Sequence, residues 1–152
     1  MEAGRENEVL VLGCNTIGHL GAGYMHASHI GDDTSGTEWE RTRRMGINTL
    51  AFRLPQNGTF YAVDADCAGY TGRIDWKYNS QWTQLLAESG SPLFVSIKPG
   101  VLTNEEKAEL SGLMETTSRQ DWHLEPLDWM ENDWPRNWAE KERKLERHFD
   151  WE

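Results

Sequence analysis

Residues 28–41 read SHIGDDTSGTEWER, and what this stretch is for decides the fold. Asp32 and Asp33 stand side by side between a glycine and a Thr-Ser-Gly turn, in a segment with no apolar face of its own. Such a segment is either a solvated loop or a carboxylate held at the end of a strand for chemistry. Upstream, EVLVLGC (8–14) is a short aliphatic run ending in glycine, which predicts a fully buried strand. The Gly-rich GHLGAGYMHASHIGDD that follows is too flexible for a helix interior. Downstream, Thr37 and Glu40 have capping-box spacing and predict a helix through Trp39 and Met45 that Gly46 stops.

The same alternation continues along the chain. NTLAFR (48–53) and TFYAVDA (59–65) are strand candidates with PQNG as the turn between them. Asp75 caps a predicted helix, WKYNSQWTQLLAES, whose Tyr78, Trp82, Leu85 and Leu86 share a face and which Gly90 ends. PLFVSI (92–97) reads as another buried strand, and Thr103 with Glu106 forms a second capping box, opening a helix with Leu110, Leu113 and Met114 inward. Apolar strands separated by helices predict an α/β fold, a parallel sheet with helical crossovers. Four such units cannot close a barrel, which takes eight strands. An open sheet of four would leave both edges unprotected. From Asp121 the character changes to Trp, Pro and charge. This tail, 121–152, reads as a linker-like wrap with one charged helix around Glu140 to Arg147.

Composition narrows the function. Lys plus Arg number 15 against 25 Asp plus Glu, a net charge of −10 over 152 residues. So acidic a surface repels phosphate backbones, which argues against a nucleic-acid partner. No apolar run is long enough to span a membrane. The N-terminus is acidic before its apolar run, the wrong order for a secretory signal, so the compartment stays open with the cytoplasm as default. Cys14 and Cys67 lack metal-type spacing and are either free thiols or one disulfide. Five of the eight tryptophans follow residue 120 at irregular spacing, which favours packing of the tail over a carbohydrate-binding face.

The order of motifs resembles the C-terminal half of the catalytic barrel of α-galactosidase-like glycoside hydrolases, the clan D retaining enzymes. VLGCN (11–15) is similar to their mid-barrel strand ending in a cysteine-containing sugar-recognition turn. SHIGDDTSGTEW (28–39) resembles their Arg-x-x-x-Asp segment with a tryptophan on the next helix. FYAVDADC (60–67) is similar to their Asn-Asp-Pro-Asp-Cys/Met strand end. QWTQLLAESGSPLFVS with LTNEEKAEL resembles the last helix and strand of the barrel and the helix after them. RHFDWE (147–152) is similar to the first strand of the β-sandwich that usually follows.

The resemblance covers roughly residues 9–151. It implies a partial (β/α)8 TIM barrel over 1–120, about its last four βα units. The Trp-rich 121–152 would then lead toward a β-sandwich.

Retaining hydrolysis uses two carboxyl groups about 5–5.5 Å apart, one a nucleophile and the other a general acid/base. The resemblance implies Asp33 as acid/base, four residues after the arginine position, with Asp32 as the alternate and Thr34 matching the family's next residue. On the residues alone, both aspartates equally suit a cap or a solvated loop. The family's arginine position is His29 here. Cys14, Asn15, His29, Asp64 and Asp66 would contact the sugar, with no metal and no cofactor implied. Asp33 with Asp66 as an inverting pair would need about 6.5–9.5 Å between them.

The strand carrying the nucleophile would lie upstream of Met1, so the 152-residue chain is expected to be inactive by itself. The partner is a carbohydrate, terminal and α-linked. The alternative is a non-catalytic half-barrel module for sugar binding or assembly. In either case the half-barrel edges predict homo-oligomers.

Overall fold

The computed structural model of the protein describes residues 9–152. Glu8 and the N-terminal segment used in the signal-peptide argument lie outside them. The fold is mixed α/β with parallel sheets and helical crossovers. Strands β1 (Leu12–Cys14), β2 (Ala27–His29) and β3 (Ala62–Asp64) form one parallel sheet in that order. Strands β4 (Ala68–Tyr70) and β5 (Val95–Ile97) form a second parallel pair. Only residues 65–67 separate β3 from β4, and Asp66 among them has a left-handed φ of 76°. The strand candidate at 59–65 contains β3, which pairs with β2, and beyond the kink the chain continues as β4, which pairs with β5.

A four-residue helix α1 (Gly18–Gly21) joins β1 to β2. Between β2 and β3 the helical segment begins as α2 (Trp39–Arg41), continues through a π turn at Thr42–Ile47, and proceeds into α3 (Asn48–Arg53) and a 3-10 turn at Leu54–Gln56. NTLAFR is therefore helix, not strand. Ile47, Leu50, Ala51 and Leu54 have the i, i+3, i+4, i+7 spacing of a helix face, and the first three are buried. Gly46 does not stop the helix. A Cβ there would stand 2.9 Å from the Trp82 ring, so the glycine serves close packing. The Thr37–Glu40 capping box does not form, because the helix starts at Trp39 and Glu40 instead binds Arg43 and Arg44.

The other two helices follow the sequence. In α4 (Trp76–Glu88), Asp75 accepts from the Lys77 N–H at 2.8 Å, and Trp82, Leu85 and Leu86 are buried. In α5 (Asn104–Arg119), Thr103 and Glu106 complete a capping box. Helix α5 packs on α4 and buries Leu110, while Met114 faces out instead of inward.

The strands expected to be fully buried are not. Leu10 is 71% and Leu12 51% exposed, and Phe94 and Ile97 are also exposed, although the equally terminal strands β3 and β4 are largely buried. The tail likewise departs from a helical wrap. Strands β6 (Glu125–Pro126), β7 (Asn137–Glu140) and β8 (Leu145–His148) form an antiparallel sheet, so Glu140–Arg147 is a hairpin. Trp138 and Glu140 point inward between exposed or half-buried neighbours, a period of two that the charged turn 141–144 conceals. Leu124, Trp138, Phe149 and Trp151 join Leu85 and Leu86 in one buried cluster. Trp39 is half-buried, stacks on Tyr78 at 4.9 Å and donates its indole N–H to the Trp151 carbonyl.

Candidate functional site

The parallel register brings Cys14, His29 and Asp64 side by side at the carboxyl ends of β1, β2 and β3. Three non-glycine residues around this rim, Asn15, Ser35 and Asp66, hold left-handed φ angles of 48°, 67° and 76°. Such backbone strain concentrates at binding and catalytic sites. Asn15 donates its N–H to the His29 carbonyl at 2.8 Å and is exposed. Cys14 and Cys67 are free thiols, which resolves the disulfide alternative.

The segment carrying the two aspartates crosses from the end of β2 over the kink between β3 and β4. Thr34 is buried there and donates both its N–H (2.5 Å) and its hydroxyl (2.9 Å) to Asp66 Oδ2. Gly36 lies directly on Gly69 of β4, where a Cβ on either residue would meet the other's Cα at 2.7 Å. The Thr71 hydroxyl closes the loop on the Gly36 carbonyl. Asp32 pairs with Arg41, whose Nη2 is 2.9 Å from its Oδ2 and whose Nε–H binds the Asp33 carbonyl. The Asp33 side chain is 82% exposed, and its Oδ1 lies 3.9 Å from His29 Nε2. Of the adjacent pair, Asp33 therefore has the carboxyl not committed to an arginine.

His29 sits between two carboxylates, with Nδ1 3.6 Å from Asp64 Oδ2 and Nε2 facing Asp33. Asp64 is buried, and its Oδ1 accepts from the Asp66 N–H at 2.9 Å. Burial raises the Asp64 carboxyl above the ordinary carboxylate value. Burial would raise Asp66 as well, but donation by the Thr34 N–H, the Cys67 N–H and the Thr34 hydroxyl outweighs it and holds that carboxyl low. Burial and the Asp66 charge push the Cys67 thiol up to about 11, which keeps it protonated. Asp64 and Asp66 are thus driven in opposite directions by burial and by hydrogen bonding. Among the described residues, no group of three His, Cys, Asp or Glu is arranged to hold a metal ion.

Sequence reasoning did not find the Asp66 clamp on Thr34 or the Arg41 hold on Asp32. The clamp has a measurable consequence. Asp66→Asn keeps a residue that tolerates the left-handed backbone but removes the charge, and is expected to cost about 1–3 kcal/mol at neutral pH. Because the folded pKa of Asp66 lies below its ordinary 3.8, its contribution is complete above that value and is lost as pH falls through the folded one. The raised Asp64 has the opposite sign, its penalty disappearing on acidification. Urea unfolding of both proteins across the acid range checks this: the gap between them should narrow as the solution is acidified.

No protein-family model matches the chain, and no curated protein matches it significantly.

Proposed function

We propose that the chain is the C-terminal half of a (β/α)8 barrel from a retaining glycoside hydrolase of the α-galactosidase type. It would act on terminal α-linked sugars, with Asp33 as the acid/base. The observation that carries this reading is the register of Cys14, His29 and Asp64 across three parallel strands, with Asp33 and Asp66 at the same carboxyl rim. Barrel enzymes place their chemistry at that rim, drawing residues from the ends of several strands. The succession β1, β2, β3–β4 and β5, with helical segments between, supports four consecutive barrel positions.

In this reading Asp33 protonates the leaving oxygen and later takes a proton from water, while Asn15 and Asp66 line the sugar pocket. Asp32 serves the loop through Arg41. The nucleophilic carboxylate comes from the other half of the barrel. The 152-residue chain by itself is expected to give no measurable turnover of an aryl α-galactoside.

The second reading, a non-catalytic half-barrel for sugar binding or assembly, draws on two observations. The Asp33 carboxyl is largely in water, and both sheet edges expose apolar side chains, Leu10 and Leu12 at one and Phe94 and Ile97 at the other. A second copy or the complementary half would cover those edges.

Both readings place a sugar at the rim, and NMR titration of the chain with a galactose-configured iminosugar tests that. Amide shifts at Asn15, Asp33, Thr34 and Asp66 are expected at millimolar ligand. A spectrum that stays unmoved there removes sugar binding at the rim from both readings and leaves only assembly.

A further inference from the structure

The segment after β2 contains Gly31, Ser35 and Gly36, yet it is tied down along its length. The Ile30 carbonyl accepts from Arg53 on α3. Gly31 lies on the Met45 carbonyl, where a Cβ would stand 2.6 Å from the oxygen. Thr34 is bound to Asp66, and Gly36 rests on Gly69. Asp33, between them, is held by its main chain alone. Its N–H donates to Asp32 Oδ1 at 2.9 Å, and its carbonyl accepts from Arg41 Nε at 2.5 Å. Arg41 Nη2 donates to the other Asp32 oxygen, Oδ2, at 2.9 Å. The three residues close a ring of hydrogen bonds that uses both main-chain groups of Asp33. Its carboxyl takes no part: the side chain is 82% exposed, and 3.9 Å to His29 Nε2 is beyond a hydrogen bond.

Little of this serves stability. The Arg41 side chain is 37% and that of Asp32 60% exposed, and exposed pairs of this kind contribute little to folding. What a guanidinium adds is geometry. Its planar fork directs two N–H groups at two acceptors at once, which the point-like ammonium of lysine does not reproduce. Here the acceptors are a carboxylate and the main-chain carbonyl of the next residue. A side chain whose backbone is fixed before a ligand arrives gives up less freedom on binding.

We propose that Arg41 is a positioning residue for Asp33: its fork binds Asp32 and the Asp33 carbonyl together, which fixes the Asp33 main chain and leaves the carboxyl to meet a ligand at the rim. The two adjacent aspartates thereby divide the work, Asp32 holding the loop and Asp33 facing the ligand. The loop is preformed, and no closure of it accompanies binding. The identity of the ligand as a sugar rests on the reading above; the hold on the main chain does not.

The test is ¹⁵N relaxation of the 152-residue chain. In the wild-type protein the Asp33 amide is expected to be as ordered as the strands, with an order parameter of about 0.85. Arg41→Lys keeps the charge opposite Asp32 but loses the fork, so the Asp33 amide should fall toward about 0.6 while Thr34 and Gly36, anchored elsewhere, stay ordered. Asp32→Asn keeps an acceptor oxygen and the Arg41 bond to the Asp33 carbonyl, and should leave Asp33 ordered. A mobile Asp33 in the wild-type chain overturns the proposal, and that measurement needs no variant to fold. An Arg41→Lys chain as ordered at Asp33 as the wild type overturns it too, since the pair would then act through charge alone.

The same samples titrated with the galactose-configured iminosugar give the functional readout. Arg41→Lys should weaken binding by about three- to ten-fold with the urea midpoint nearly unmoved, which a merely structural arginine would not do. Unchanged affinity with a mobile Asp33 would overturn the positioning role. Loss of order at Asp33 in a chain whose wild type binds no iminosugar would support the hold by Arg41 and sink the sugar reading alone.

Discussion

On the proposed glycosidase reading, asparagine in place of Asp33 is expected to lower turnover of an aryl α-galactoside by about 10²- to 10⁴-fold, measured in a polypeptide that joins this chain to a barrel half bearing the nucleophile that reading requires. The magnitude follows from what a general acid does: it removes charge from the leaving oxygen as the glycosidic bond breaks. The loss should therefore depend on the leaving group. A nitrophenolate leaves well without a proton, so its cleavage should suffer least, whereas an alkyl α-galactoside, which cannot leave as an anion, should suffer most. Asp32→Asn provides the contrast. That carboxylate is paired with Arg41 at the surface, and exposed pairs contribute about 0–1 kcal/mol, so only a small effect on rate is expected. Equal rates for wild type and Asp33→Asn with the alkyl substrate would take position 33 out of the chemistry. If the two single variants fell by the same factor, the loop rather than one carboxyl would be what matters.

The outer strands of the rim were legible from local signals, whereas the central strand β2, inside the Gly-rich stretch, was not. The runs ending at Cys14 and Asp64 are strands by composition, and the Asp75 and Thr103 caps mark both long helices where they begin. What stayed hidden depends on partners distant along the chain. Thr34 and Asp66 meet across 32 residues, and nothing local to either says that the aspartate holds a loop. Strand β4, Ala-Gly-Tyr, has no β-branched residue; it is a strand because β5 pairs with it and because Gly69 lets Gly36 lie against it.

Gly46 resembles a helix stop and so conceals helix α3 in the sequence. The helix's own apolar spacing was helical, and the glycine answers to Trp82. In the hairpin 137–148, turn residues rich in Lys, Arg and Glu imitate a solvated helix, and only the burial of Trp138 on one side shows the strand period.

Trp151→Ala is expected to cost about 3–5 kcal/mol of folding free energy, the range for removing a large aromatic side chain from a packed interior. A domain's whole stability is about 5–15 kcal/mol, so this one change at the next-to-last residue should leave the protein marginal. Trp151 is 1% exposed and stacks on Phe149 with ring centres 5.0 Å apart. Its indole N–H donates to the Pro135 carbonyl at 2.9 Å, and its own carbonyl accepts from Trp39. Loss of the ring does not strand Pro135, because the Trp138 indole donates to the same oxygen at 2.8 Å. The expected cost is therefore that of a cavity, without an added penalty for an unpaired polar group. Trp129→Ala is the control within the same tail: at 44% exposure it should change stability by much less, since its ring already meets water. Urea unfolding followed by circular dichroism separates the cases. A large loss for Trp151 and a small one for Trp129 means that residues 121–152 fold as part of the core that carries α4. Equal and small losses would mean that the tail only rests on a body already stable.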